Sequence, residues 1–215
     1  MAIKDILQRR GIKHLCHFTQ LDNLDSILIH GLIPRVDLYN AEFNSNPSLS
    51  IHGVFNDRFR LDGKPEAICL SISFPNSSMF YGLRCSNSSV KWAVIVLNAQ
   101  VLIDKDCAFY PTNAANSNVN SIPISNFQGE EALEQLFKTN GNRQNLLEKD
   151  PTDVQAEVLV FDTIESDYIL GAVLMSDEDV NYFKEKFSKL TFFKHRYWDV
   201  FSDRYCARKN GFEGY

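Results

Sequence analysis

A chain of 215 residues with 44% hydrophobic and 12% aromatic residues is long enough to bury one sizeable core, and its length favours a single domain over residues 1–215. No apolar run approaches the ~20 residues that span a bilayer, and the stretch around Lys4, Asp5, Arg9 and Arg10 lacks the hydrophobic segment of a signal peptide, so a cytoplasmic monomer with no membrane partner is expected. The net charge of −5 excludes a uniformly basic nucleic-acid binder, because Lys and Arg facing phosphates supply most of such affinity.

Ile3, Ile6 and Leu7 recur at helical spacing, which predicts a helix over 2–10 ending at Gly11. His14–Thr19 reads as a short strand. Leu24, Ile27 and Leu28 repeat the helical pattern, and Gly31 stands where a left-handed C-cap belongs, with Pro34 beyond it. Residues 34–63 hold Pro34, Pro47, Gly53 and Gly63 among Asn and Ser without periodicity, which predicts a long loop with at most fragments of helix; inside compact domains such loops are usually functional or mobile. Ala67–Phe74 and Trp92–Leu97 are runs of β-branched and aliphatic residues, predicted as buried strands, with a helical turn at Met79–Leu83 between them. Residues 111–128, rich in Asn, Ser and Pro, are predicted irregular, and Glu130–Phe137 helical. Gln155–Phe161 and Tyr168–Leu174 are two more strands, expected at the centre of a sheet. Ser176 with Asp179 resembles a capping box opening a helix to about Phe187, and Leu190–Phe193 adds a last strand.

Helix and loops first, then strands mixed with short helices, argue for an α+β fold rather than a βαβ alternation. No G-x-G-x-x-G follows the first strand, so a nucleotide site of the Rossmann kind is not expected. The five cysteines, Cys16, Cys69, Cys85, Cys107 and Cys206, are odd in number and scattered, with no C-x-x-C pair and no His cluster at zinc spacing, so reduced thiols and no metal are expected. Charge is uneven. Residues 128–167 carry ten acids against Lys138, Arg143 and Lys149, whereas the segment from Lys189 has six bases against three acids, which permits a basic groove there.

Four segments offer chemistry. His17 and Thr19 alternate on one strand and share a face, where an imidazole and a hydroxyl suit a ribose or a carboxamide. Asn56-Asp57-Arg58-Phe59-Arg60 places two guanidinium forks in the long loop, a shape that matches pyrophosphate oxygens. Ser71 and Ser73 form a polar stripe on an otherwise apolar strand, either bonding backbone groups or lining a pocket. Gln155 and Glu157 share a face at the start of an apolar strand, where a carboxylate can stabilise positive charge developing on a sugar.

Taken in order, these segments resemble the DarT family of toxin ADP-ribosyltransferases, from His14 to about Leu174. The specific parts are HFTQLDNLDSILIHGLIPR, NDRFRLDGKPEAICLSISFPNSSMFYGLR and QAEVLVFDTI. The resemblance implies an ADP-ribosyltransferase fold, a split central β-sheet flanked by short helices and long loops that clamps NAD⁺ without a glycine fingerprint. It implies that NAD⁺ is the ADP-ribose donor and that no metal takes part. Carried onto this sequence, it gives His17 and Thr19 to the nicotinamide riboside, with Asn23 shaping that pocket and Ser71 and Ser73 supporting it. Arg60 would contact phosphates or assist transfer, Glu157 would orient the ribose and promote nicotinamide departure, and Gln155 would face the acceptor base.

The same resemblance implies single-stranded nucleic acid as acceptor, DNA before RNA, because a base in a duplex offers its reactive edge only after unstacking. Phe109, Tyr110 and Phe127 are candidates to stack bases, and Arg58, Lys64, Arg84 and Lys91 to meet phosphates. The segment LSISFPNSSMFYGLR looks more like the branch that modifies guanine than the thymidine branch. A toxin of this family would be neutralised by a macrodomain antitoxin. Transfer to protein, or to water as an NAD⁺ glycohydrolase, is the competing expectation that the acidic net charge favours.

Overall fold

The computed structural model describes residues 2–38, 62–139 and 143–214. Helix α1 (Ile3–Arg10) ends, as its pattern predicts, at Gly11 in the left-handed conformation (φ 64°, ψ 31°), whose N–H caps the carbonyls of Leu7 and Gln8. Strand β1 (His14–Gln20) follows, then α2 (Leu24–His30) and a short turn of helix, α3 (Arg35–Leu38). Gly31 departs from the expected cap. Its φ of 84° is positive but its ψ is −174°, an extended mirror-image conformation open only to glycine. The reason is a close approach: Leu32 and Ile164 exchange backbone hydrogen bonds of 2.9 and 2.8 Å, and a Cβ on Gly31 would lie 2.2 Å from the Ile164 oxygen.

After residue 61 come β2 (Ile68–Ile72), α4 (Ser77–Ser86), β3 (Trp92–Asn98), α5 (Val101–Asp104) and β4 (Cys107–Tyr110). Helix α4 outruns the single turn expected at Met79–Leu83 because the Asn76 side chain caps it, accepting from the Met79 N–H at 3.1 Å. The chain closes with α6 (Gly129–Gln135), β5 (Glu157–Val160), β6 (Ile169–Leu174), α7 (Asp177–Lys186), β7 (Thr191–Lys194) and α8 (Arg204–Lys209). Ser176 caps α7 as its sequence suggests, its hydroxyl accepting from the Asp179 N–H.

The strands form one sheet in the order β4-β5-β2-β1-β3-β6-β7, antiparallel throughout except for the β6–β7 pair. The expectation that β5 and β6 are central is corrected: each lies one strand in from an edge, and β1 occupies the middle. β1 pairs with β3 along its whole length, from His14↔Asn98 to Gln20↔Trp92, but with β2 only at Leu15↔Ile72 and Cys16↔Ser71. Past Cys16 the two strands part, and β2 runs on with β5, pairing Leu70↔Val158, Cys69↔Leu159 and Ile68↔Val160. The sheet is therefore split at its centre, a mixed α/β architecture of the kind the resemblance implies.

Side-chain alternation along the strands sorts the core into layers. Leu15, Ile68, Leu70, Ile72, Val158 and Val160 meet α1, α2, α6 and α7 on one face. On the other face Cys16, Val94 and Val173 pack under Phe80 of α4 and Ala207 of α8. A third cluster, including Tyr110, Phe127 and Leu159, covers the β4–β5 end.

Candidate active site

The parting of β1 and β2 leaves a gap lined by backbone, and His17 stands on its rim. Its Nδ1 lies 2.9 Å from the Cys69 carbonyl oxygen across the gap. A carbonyl only accepts, so Nδ1 carries the proton and the ring's orientation is fixed by the strand that has turned away. Thr19, two residues on, is buried, and its hydroxyl accepts from the Asn23 Nδ2 at 3.1 Å. The structure thus brings His17, Thr19 and Asn23 together at one end of β1.

A backbone feature of this rim was not legible from side chains. The Ser73 N–H donates to the His14 carbonyl at 3.2 Å, so the peptide groups of His14, and by alternation those of Cys16 and Phe18, face the β2 side. Phe18 therefore directs its N–H and C=O into the gap, and its ring is locked by stacking on Phe80 at 4.7 Å. One donor and one acceptor on the same residue match a carboxamide.

On the far side of β2, Glu157 begins β5. One residue beyond the Leu70↔Val158 pair, it falls beside Ser71; both are only 8% exposed. Its Oε2 accepts from the Ala114 N–H at 2.9 Å, so the acid is drawn inward under the loop that follows β4 rather than left in solvent. Strand spacing puts its Cα roughly 8 Å from that of Cys69, the residue His17 grips. Gln155 is exposed in the turn before β5, where Asp153 Oδ1 holds its N–H at 2.8 Å.

Ser73 is held from below. It has a φ of 58°, rare for a residue with a Cβ, and the Phe74 N–H reaches back to the Ile72 carbonyl at 2.7 Å in a tight γ-turn. Its hydroxyl donates to Asp150 Oδ1 at 2.7 Å. Asp150 in turn is clamped by Arg208, whose Nε and Nη2 reach its two oxygens at 2.8 and 2.7 Å. Ser73 is thus anchored to a buried ion pair.

The base-stacking expectation is corrected. Phe109 and Tyr110 lie on β4, 1% and 0% exposed, and Phe127 stacks on Tyr110 at 4.1 Å; rings committed to the core offer no face to a base. Among the proposed phosphate contacts, Lys91 pairs with Asp179 at 3.0 Å, Arg84 bonds the Phe201 carbonyl and lies over the Phe80 ring, and Lys64 donates to the Asp62 carbonyl at 2.9 Å. The basic excess of the C-terminal segment is also less than its count suggests, since Arg204 and Arg208 are buried. Arg58 and Arg60 lie outside the described residues.

A sheet that opens at its middle has room to clamp a dinucleotide without a Rossmann turn, and a split sheet flanked by short helices is the architecture of the ADP-ribosyltransferase fold. The chain belongs to the DarT family: the family model described as ssDNA thymidine ADP-ribosyltransferase, DarT, matches residues 16–205. Among solved structures it is similar to Thermosipho africanus DarTG in complex with ADP-ribose, with a TM-score of 0.60 and 17% identity over 85% of this chain and 50% of that one. It is also similar to Thermus sp. 2.9 DarT in complex with carba-NAD⁺, with a TM-score of 0.52 and 14% identity over 85% and 95% of the two chains. The chain therefore spans about half the length of the Thermosipho protein, and at these identities the likeness is one of fold. No curated protein matches it in sequence.

Proposed function

We propose that this chain transfers the ADP-ribosyl group of NAD⁺ to a base of single-stranded DNA, with Glu157 as the catalytic residue. The observation that carries the reading is the placement of Glu157, drawn inward beside Ser71 at the head of β5 and fastened by the Ala114 N–H. The relatives of like fold hold ADP-ribose and carba-NAD⁺, the donor chemistry such a site suits. In this scheme the Phe18 backbone grips the nicotinamide carboxamide, while His17, Thr19 and Asn23 hold the riboside. Arg60 meets the pyrophosphate.

As the C1′–N bond to nicotinamide breaks, the electron pair leaves with the neutral ring and positive charge grows on the ribose. Glu157 stabilises that charge electrostatically. A ring or exocyclic nitrogen of the base then forms the new bond to C1′ and gives up its proton to Glu157 or to water. Exposed Gln155, two residues before the acid, faces the incoming base.

The family description names thymidine; the resemblance of LSISFPNSSMFYGLR favours guanine, which is the base proposed here. A macrodomain antitoxin that removes the modification is the proposed partner. Incubation with NAD⁺ and oligonucleotides of each base, in DNA and RNA, resolved by intact mass, tests the reading. A single ADP-ribose adduct on a guanine-containing DNA strand is expected, and Glu157→Gln should lower transfer at least about 10²-fold. An adduct confined to thymine would reassign the base. Label on protein, or free ADP-ribose with every strand unchanged, would replace the reading with the protein-directed or hydrolytic one that the net charge of −5 favours.

A further inference from the structure

Tyr110 carries a polar group for which the fold itself has no use. Its side chain closes β4, 0% exposed, with Phe127 stacked on one side and the Lys64 ammonium 5.5 Å from the ring centroid. Its hydroxyl is buried without a hydrogen-bond partner among the described residues. A phenylalanine would fill the same space without stranding a donor, so the hydroxyl costs stability in the ligand-free protein.

The sheet register points to its use. Tyr110 and Glu157 are direct cross-strand partners on β4 and β5, and such pairs present their side chains to the same face. Among the described residues, the charged groups around the phenol are Glu157 from β5, Asp62 from the segment before β2, and Lys64 over the ring. Burial first, and then the Asp62 and Glu157 charges, push the phenol's pKa up, so it keeps its proton at neutral pH. A protonated hydroxyl near carboxylates is a donor in reserve, available to either once the two close to hydrogen-bond distance. The Ala114 N–H already holds Glu157 Oε2, and hydrogen bonds of a reactive site that are open in the free protein commonly close on substrate binding.

We propose that Tyr110 is a positioning residue of the transferase, its phenol hydroxyl donating to the Glu157 carboxylate when NAD⁺ fills the cleft and so holding that acid ionised and aimed at the ribose. The inference rests on Glu157 being the catalytic residue.

The test is Tyr110→Phe in the full chain, assayed for transfer to single-stranded oligonucleotides from pH 4 to 9 and for thermal unfolding without NAD⁺. A donor to the charged form holds the Glu157 pKa down. Its loss raises that pKa, so activity requiring the carboxylate should fail at a higher pH. Expected are kcat about tenfold lower, KM for NAD⁺ within about twofold, the acid limb moved up by about one pH unit, and a melting temperature equal to or above wild type. Wild-type kcat with an unmoved acid limb overturns the proposal. So does a loss of activity accompanied by a lower melting temperature, which would mark a packing role. Wild-type transfer that survives Glu157→Gln refutes the underlying reading instead, whatever Tyr110→Phe does.

Discussion

Replacing Asp150 by Asn should cost more stability than its distance from the cleft suggests. The two side chains of the Asp150–Arg208 pair are 0% and 1% exposed. The carboxylate also accepts from the Ser73 hydroxyl at 2.7 Å and from the Leu147 N–H at 3.0 Å. Asparagine preserves the size and one acceptor oxygen but leaves the Arg208 guanidinium buried without its counter-charge, a change that costs about 3–5 kcal/mol where one partner of a buried pair is removed. Against a total of about 5–15 kcal/mol for a typical domain, the variant should fold but unfold at much lower urea, followed by the fluorescence of buried Trp92. A double replacement by apolar residues, Asp150→Leu with Arg208→Met, should recover most of the loss. The pH dependence carries its own sign. Burial pushes the Asp150 carboxyl up, but the Arg208 hydrogen bond and charge, with Ser73 and the Leu147 N–H, outweigh it and hold the folded value below the usual carboxylate range. The pair's contribution is therefore complete above the unfolded value and is lost as pH falls through the folded one. Wild type should thus weaken towards acid more steeply than Asp150→Asn. A difference under about 1 kcal/mol at pH 7 would refute the argument that this pair is uncompensated once broken.

Gly171→Ala should detach β7: a Cβ at that position, where φ is 149°, would lie 1.7 Å from the Thr191 carbonyl oxygen, and we expect at least about 2 kcal/mol of destabilisation, with amide protection lost first over Thr191–Lys194 in hydrogen exchange. Gly31→Ala should act similarly on the Leu32–Ile164 bridge, through its 2.2 Å approach to the Ile164 oxygen, and lower the melting temperature. Burial pushes the Cys16 and Cys107 thiols up to about 12, so iodoacetamide at pH 7.5 should leave both unmodified in the folded protein while labelling exposed Cys85; peptide mass mapping before and after denaturation checks this.

Local pattern carried much of the fold. The Val, Ile and Leu runs of β2, β3, β5 and β6 mark strands because branched side chains fit a pleated, buried surface, and Ser176 or Gly11 mark helix ends because a cap needs only neighbouring residues. Strand β4 was missed: Cys107–Tyr110 contains none of the β-branched residues that mark the other strands. The same miss made Phe109 and Tyr110 candidates to stack bases instead of sheet residues. Charge was misread for a related reason, since Arg204 and Arg208 count as basic in any tally but are buried, Arg208 against Asp150 and Arg204 against the Thr152 carbonyl, each more than fifty residues away in sequence.

The sequence by itself determined which chemistries are present and in what order, because the His17, Ser71 and Glu157 motifs are local strings and the absence of a glycine fingerprint is a local fact. Only the tertiary structure decided that β1 and β2 part after Cys16, that the Phe18 peptide faces the opening, and that Glu157 is drawn under Ala114 beside Ser71. Those are relations among segments up to 86 residues apart, set by strand register and packing, and neither composition nor periodicity along one stretch of chain contains them.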